Sequence, residues 1–341
     1  ICELKLYRGY ANKSEFVVFG HAFEKYPSKK DLYDRKGFKH VNSIIQLFTL
    51  KTIANIRIVL RFGTVQAEMH TLEDGYFRFQ LPLDHHLESG WHKYQVSIED
   101  ERYSSKYQIT REGELLMPDE GAYTFISDID DTFLISYSRN MLKKFYVLLS
   151  KNVESRMPFK DVVKHYRLLS FAGKKEGDSY ENSFFYVSSS EWNLYEYILR
   201  FTSFCKLPKA VVKLKKIKHG LSDFLMTGAG SHNHKERKIR NIMHFYSDQQ
   251  FVLLGDDSQQ DPFIYQRIAT DLPQNTKAVY IRQTRKKPQK NAAEALTQLS
   301  ALGISTCYYI HSSEAILHSE QIGIITQKQL SDFEQKEKKI I

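Results

Sequence analysis

The stretch Tyr123-Thr124-Phe125-Ile126-Ser127-Asp128-Ile129-Asp130-Asp131-Thr132 decides how this chain is read. Its aromatic and β-branched residues form an apolar run that predicts a buried strand. The run stops at three carboxylates within four positions, followed at once by a hydroxyl. Carboxylates crowded at the end of a buried strand repel one another and need a compensating charge. A hard cation such as Mg²⁺, held by one or two carboxylates with phosphate oxygens and water, is the usual compensation. An Asp so placed can also act as a nucleophile, since aspartyl-phosphate is an established covalent intermediate. Acids after a strand serve equally as turn residues or helix N-caps, so the stretch alone leaves both readings open. An EF-hand loop starting at Asp128 is excluded, because Phe133 stands where the turn needs Gly and Arg139 where the bidentate Glu belongs.

Downstream of this strand the pattern alternates strand with helix, which predicts parallel strands joined by crossover helices. The further strands are read at Phe184–Val187, Val211–Leu214, Phe251–Leu254, Ala278–Ile281 and Thr306–Ile310. Apolar stripes at the 3.6 period run through Phe159–Leu169, Trp192–Thr202, Ile239–Tyr246 and Ala292–Leu302, and are read as core. A helical insertion around 133–183 is well placed to cover the end of the first strand, and the charged stretch after Gln327 reads as an exposed helical end. Upstream, short apolar or alternating segments lie at Glu3–Tyr7, Glu15–Gly20, Ile56–Phe62, Val65–His70, Tyr76–Leu81, Tyr94–Ile98 and Tyr103–Thr110. Turn signals such as Gly63, Asp74-Gly75 and Ser89-Gly90 separate them, so a β-sandwich is expected, with Val41–Leu50 as a short helix. Glu112-Gly113-Glu114 and Pro118-Asp119-Glu120-Gly121 mark the boundary. The expected organisation is a β-rich domain over 1–118 and an α/β domain over 119–341. No polar constellation with catalytic spacing occurs in the first of these.

Composition bounds the function. The 341 residues suit two domains, and 42% hydrophobic with 13% aromatic residues describes a globular chain. No run of 18 apolar residues occurs and no basic-then-apolar leader is read, so no membrane span or signal peptide is expected. Cys2, Cys205 and Cys307 are odd in number and far apart, which argues against a disulfide framework and a Cys-based zinc site. A reducing, cytoplasmic setting follows as the expectation. The net charge of +9 is uneven: residues 1–118 carry 17 Lys and Arg against 15 Asp and Glu, the remainder 32 against 25. Basic clusters at Lys213–Lys218 and Arg282–Lys290, with smaller ones at Lys143-Lys144 and Lys174-Lys175, suit an anionic membrane surface or nucleic acid.

Ligands of open α/β sheets bind beyond the carboxyl ends of the strands, so the residues that follow each strand are the place to search. The strand at 184–187 ends in Ser188-Ser189-Ser190, whose hydroxyls and amides could hold an anion or cap the next helix. The strand at 251–254 ends in Gly255-Asp256-Asp257-Ser258-Gln259-Gln260-Asp261, a second carboxylate cluster. Two such clusters in one sheet ask for a metal, and the hard ligand set favours Mg²⁺ over zinc. His232 and His234 are accordingly read as loop residues, and Thr227-Gly228-Ala229-Gly230 lacks the Gly-Lys-Ser/Thr of a P-loop. Lys235 precedes the strand at 251–254 and says little by itself.

The order Asp-x-Asp-x-Thr, strand-Ser, Lys, then Gly-Asp-x-x-x-x-Asp resembles the haloacid dehalogenase superfamily. More narrowly, Ile126–Thr132, Tyr186-Val187-Ser188 with Trp192, and Leu254–Asp261 are similar to the App1-type phosphatidate phosphatase family. Met157-Pro158-Phe159, Tyr166-Arg167-Leu168-Leu169, Arg8-Gly9-Tyr10 and Gly20-His21 extend the likeness over nearly the whole chain. Ser189 and Glu191 stand where Asn and Pro are common, and Ala210 where Gly is usual; none of these removes a charge or hydroxyl that the chemistry needs.

The resemblance implies a haloacid-dehalogenase-like parallel sheet behind a β-sandwich-like domain. It also implies roles. Asp128 would attack phosphorus, and Asp130 would protonate the leaving oxygen and then activate water. Mg²⁺ would sit between Asp128, the Asp130 carbonyl and Asp256, with Asp257 or Asp261 orienting its shell. Ser188 and Lys235 would hold the phosphoryl oxygens, and Thr132 would fix the turn. The expected activity is Mg²⁺-dependent hydrolysis of phosphatidate at the surface of an anionic membrane. Two alternatives stay open: a non-catalytic phosphatidate-binding module, and a phosphatase acting on a soluble or nucleic-acid phosphate.

Overall fold

The computed structural model describes residues 2–26, 50–100, 109–119, 123–129, 160–174, 180–215 and 233–338. The first seven strands are β1 (Glu3–Ala11), β2 (Glu15–Phe23), β3 (Arg57–Phe62), β4 (Val65–His70), β5 (Tyr76–Pro82), β6 (Gly90–Ile98) and β7 (Ile109–Met117). They form one mixed sheet in the order β4-β3-β6-β7-β1-β2-β5, antiparallel except where β1 meets β7. The two outer strands touch each other. The sheet thus curls, barrel-like, around its own core of Leu4, Phe16, Val18, Phe77 and Tyr94. This differs from the expected sandwich: alternation along a strand specifies an inner face, which a sheet curled on itself satisfies as well as two stacked sheets.

One of the two boundary markers falls inside a strand. Glu112-Gly113-Glu114 lies inside β7, where the Tyr94 ring crosses so closely that a Cβ on Gly113 would come 2.4 Å from Tyr94 Cζ. Glycine here marks a close approach within a strand and no chain break. The expected strand at Tyr103–Thr110 begins at Ile109 within the described residues, and the helix expected at 41–50 lies outside them except for Leu50.

The second sheet contains β8 (Tyr123–Asp128), β9 (Ser183–Glu191), β10 (Ala210–Lys215), β11 (Gln250–Asp256), β12 (Thr276–Arg282) and β13 (Ser305–Tyr309). All its pairings are parallel, in the order β10-β9-β8-β11-β12-β13. Helices follow as α1 (Lys160–Leu169), α2 (Tyr195–Phe204), α3 (Asn233–Phe245), α4 (Asp261–Asp271), α5 (Lys290–Ala301), α6 (Ser312–Gln321) and α7 (Gln327–Lys338). From β8 the chain builds outward first on one side and then, from β11, on the other. The order therefore reverses between β8 and β11, and such a switch point opens a crevice at the carboxyl ends of those two strands.

The outer face of the first sheet packs on the second. Tyr7, Tyr10, Val17 and Phe19 belong to the same core cluster as Phe185, Trp192 and Tyr246. Tyr7 stacks on Trp192 with ring centroids 4.0 Å apart, while Arg8 takes the Tyr195 hydroxyl on its N–H (2.9 Å) and the Ala210 carbonyl on its guanidinium (3.1 Å). This explains why β2 is buried on both faces. The first-half residues that carried the family likeness sit at this junction, including His21, which meets the Tyr7 hydroxyl at 2.9 Å. The helical end after Gln327 is partly packed rather than wholly exposed: Glu334 pairs with Lys164 at 2.9 Å and Phe333 lies under Arg167.

Candidate active site

Asp128 is the last residue of β8, the strand flanked by β9 and β11, and is 1% exposed. The strand end is clamped from below. Ser127 Oγ donates to the Asp128 carbonyl at 2.8 Å and meets the Tyr166 hydroxyl of α1 at 2.8 Å. Asp128 stands level with Val187 of β9, so Ser188 lies one residue beyond it on the neighbouring strand. Ser188 is fully buried, and its hydroxyl accepts the Ser190 N–H at 2.9 Å. The triple-serine segment is not a helix cap: β9 continues through it to Glu191, and a single 3₁₀ turn at Trp192–Leu194 precedes α2.

On the other flank, Leu254 of β11 pairs with Ser127, which brings Asp256 to the same sheet edge. Gly255 is required because the Asp261 side chain folds over it: a Cβ there would lie 2.6 Å from Asp261 Oδ2 and 2.9 Å from the Tyr265 ring. Asp261 opens α4, where the unsatisfied N–H groups of a helix start favour a negative charge. Lys235, near the start of α3, reaches into this group. Its ammonium pairs with Asp128 Oδ1 at 3.0 Å and also with Asp261 Oδ1. Burial pushes the Asp261 carboxyl well above its usual range; Lys235 opposes the rise, while Asp128 and Asp256 add to it. Two buried carboxylates thus share one ammonium, with Asp256 near enough to act on one of them.

Asp257 belongs elsewhere. Its Oδ1 accepts from the Thr284 amide (2.8 Å) and hydroxyl (2.5 Å), and its Oδ2 from the Tyr308 hydroxyl at 2.6 Å. Both oxygens are thereby spent on tying the end of β11 to the segments after β12 and within β13. Among the residues expected at the metal, it is the one that the structure turns to architecture. His234 is exposed and meets Arg237 at 3.0 Å; His232, Asp130, Asp131 and Thr132 lie outside the described residues.

The donor set fits a hard divalent cation. Asp128, Asp256 and Asp261 offer oxygen donors only, the kind such a cation takes, and Asp261 Oδ2 is buried without a hydrogen-bond partner among the described residues. The described residues alone contain no complete cluster of three acidic, histidine or cysteine ligands. Sequence reasoning missed the supports beneath the site, Tyr166 and Tyr265. Both lie on helix faces read as plain core or left unread, and only their hydroxyls, on Ser127 and on the Leu254 carbonyl (2.9 Å), reveal the role.

Residues 123–283 match the family model described as phosphatidate phosphatase APP1, catalytic domain. No curated protein matches the chain. Among solved structures, a carbohydrate acetylesterase from Xanthomonas citri aligns at 8% identity and a TM-score of 0.33, over 95% of this chain and 75% of that one. The minor pilin PilB of Streptococcus sanguinis aligns at 11% and 0.31, over 96% and 88%. A β-glucuronidase from Parabacteroides merdae aligns at 7% and 0.29, over 96% and 50%. Likenesses this faint carry no argument. The family match does, because it begins at β8 and runs just past β12: this segment matches the catalytic domain of the App1-type phosphatidate phosphatases, a family of phosphoric monoester hydrolases.

Proposed function

We propose that this chain hydrolyses phosphatidate to diacylglycerol and phosphate through a phosphoryl group carried on Asp128, with Mg²⁺ bound, on a haloacid-dehalogenase-like sheet. The observation that carries the reading is the buried pairing of Asp128 with Lys235 at the end of β8, beside Asp256 and Asp261. A buried carboxylate held by an ammonium is fixed in place and ready to attack a phosphorus brought to the sheet edge. Its oxygen forms a bond to phosphorus as the bond to the glycerol oxygen breaks, and Asp130 gives that oxygen a proton. Asp130 then takes a proton from water, the water oxygen attacks phosphorus, and the Asp128 carboxylate leaves. Lys235 and Ser188 would steady the equatorial oxygens, where charge spreads in the transition state. Asp261 would hold Lys235 in position. Asp128, Asp256 and the Asp130 carbonyl would hold Mg²⁺, which supplies neutralisation of phosphate charge.

No helix among the described residues is long and apolar enough to cross a membrane. The loop after β12, with exposed Arg285, Lys286 and Lys287, follows a strand end that lies level with Asp256, and would bring the site to an anionic lipid surface. The test is phosphate release from phosphatidate in mixed micelles, with and without Mg²⁺, beside a soluble ester and a 5′-phosphorylated oligonucleotide. Mg²⁺-dependent release that favours the lipid is expected. Turnover of a soluble phosphate in preference to the lipid would remove the substrate assignment. Reversing the three loop charges should lower activity on vesicles more than on the soluble ester, and equal losses would sink the docking role.

A further inference from the structure

The junction of the two sheets holds a second polar cleft, whose lining includes none of the residues assigned to the reaction above. A cavity of about 550 Å³ opens between β5, the end of β10 and α3, a size typical of small-ligand sites. Among the described residues, Arg78, Lys213, Lys215, Arg237 and Lys238 line it against a single carboxylate, Asp74. That carboxylate is engaged in its own turn, accepting the Tyr76 N–H at 3.1 Å. None of Asp128, Ser188, Lys235, Asp256 and Asp261 reaches the cavity wall. The two sites are nonetheless neighbours, because Lys238 Nζ lies 3.4 Å from the Ser188 carbonyl.

Lys213 shows what the cavity lacks. Its ammonium lies 4.3 Å from the Phe19 ring centre and 5.0 Å from that of Tyr10, in a setting where rings substitute for water. Burial lowers its pKa, Arg78 from the facing sheet pushes the same way, and only Tyr10 opposes them; no carboxylate contributes. Gathering like charges against apolar walls such as Trp192 and Ile242 is unfavourable until an anion joins them. A lone carboxylate brings one negative charge. A phosphate monoester brings nearly two, with oxygens that suit both guanidinium and ammonium donors.

We propose that this cleft is a second anion site, which binds a phosphate monoester group between Arg78 of the first sheet and Lys213, Lys215 and Arg237 of the second. The first sheet thereby does more than brace the catalytic one: it supplies one wall of a binding site. The same headgroup chemistry could arrive on a soluble metabolite or on a lipid.

Trp192 lines the cleft and is one of only two tryptophans, so Trp91→Phe leaves it as a fluorescent reporter. The full chain carrying Trp91→Phe and Asp128→Asn is titrated with glycerol 3-phosphate, and separately with phosphatidylcholine vesicles with and without phosphatidate. Asp128→Asn suppresses turnover on the proposed catalytic reading, and the Arg78 and Lys215 changes below separate binding in this cleft from binding at Asp128 whether or not that reading holds. A saturable response to either phosphate-bearing probe is expected, weakened roughly tenfold or more by Arg78→Ala with Lys215→Ala and largely retained by Arg78→Lys. A response to vesicles alone would identify the source as lipid, and a response to glycerol 3-phosphate a soluble one. Arg78→Ala with Lys215→Ala removes side chains that are exposed or half-exposed, and circular dichroism checks that the fold persists. No saturable response to either probe, or the same titration after both charges are removed, would overturn the proposal.

Discussion

Two groups of buried polar side chains flank the second sheet, and they are built on opposite principles. At the carboxyl end of β8 and β11, Asp128 and Asp261 share one ammonium, that of Lys235, and Asp256 lies close enough to act on Asp261. Between α1, β12 and α6, His165 Nε2 meets Ser319 Oγ at 2.9 Å, Ser319 meets the Tyr280 hydroxyl at 2.8 Å, and Tyr280 meets His318 Nδ1 at 3.1 Å. The second group contains a Ser–His pair, yet its members satisfy one another without any net charge, and burial pushes His165 down to about 3. The first group crowds acidic side chains together, and burial with the neighbouring Asp128 and Asp256 pushes the Asp261 carboxyl well above its usual range. Burial and catalytic residue types are common to both; crowded like charge is what separates a site from a satisfied core.

This contrast can be broken most forcefully at Asp128. Asp128→Asn is nearly isosteric and removes the nucleophile, so turnover should fall by roughly 10⁴-fold or more with the fold retained, measured as phosphate release beside a melting curve. Lys235→Met comes next: turnover should fall roughly 10² to 10³-fold, and the two carboxylates left without their ammonium should also lower thermal stability. Asp257→Asn tests the other principle within the same acid-rich segment. It should cost about 1–3 kcal/mol of stability through the Thr284 and Tyr308 bonds while kcat falls only a few-fold; a loss of activity as large as that of Asp128→Asn would return Asp257 to the catalytic group.

The closed network predicts a pH effect that the open one does not need. His165 is neutral in the folded chain down to about pH 3, whereas the unfolded chain protonates it near pH 6.5. The unfolded state therefore binds the extra proton between those values, and stability declines as pH falls from 6.5 toward 3, by up to about 1.4 kcal/mol per pH unit. His165→Gln should flatten that part of the stability–pH profile in chemical denaturation, and an unchanged slope would show that the imidazole does not titrate on unfolding.

Most strand positions were legible because apolar runs such as Phe251–Leu254 and Ala278–Ile281 are short, β-branched and flanked by turn chemistry. The parallel sheet followed from their alternation with helical stripes. Asp128, Ser188, Asp256 and Asp261 were found by reading past strand ends and Lys235 through the family resemblance, and the structure gathers them at one edge of the sheet. Legibility failed wherever a partner distant in sequence decides the outcome. Gly113 reads as a break until the Tyr94 ring is seen across it, and Asp257 reads as a ligand until Thr284 and Tyr308 claim it. The basic run at Lys213–Lys218 reads as suited to an anionic partner, and nothing in it shows that Tyr10 and Phe19 of the first sheet stand against Lys213. Local pattern carries none of these, because each is settled by packing between elements far apart in the chain.

The central claim is that Asp128 itself carries the phosphoryl group. Quenching the enzyme during turnover of phosphatidate with borohydride tests it directly, since borohydride reduces an acyl phosphate to an alcohol and releases phosphate. Peptide mass spectrometry should then find homoserine in place of Asp128, dependent on both substrate and Mg²⁺. An unmodified Asp128 under active turnover, or reduction at a different carboxylate, would contradict the account.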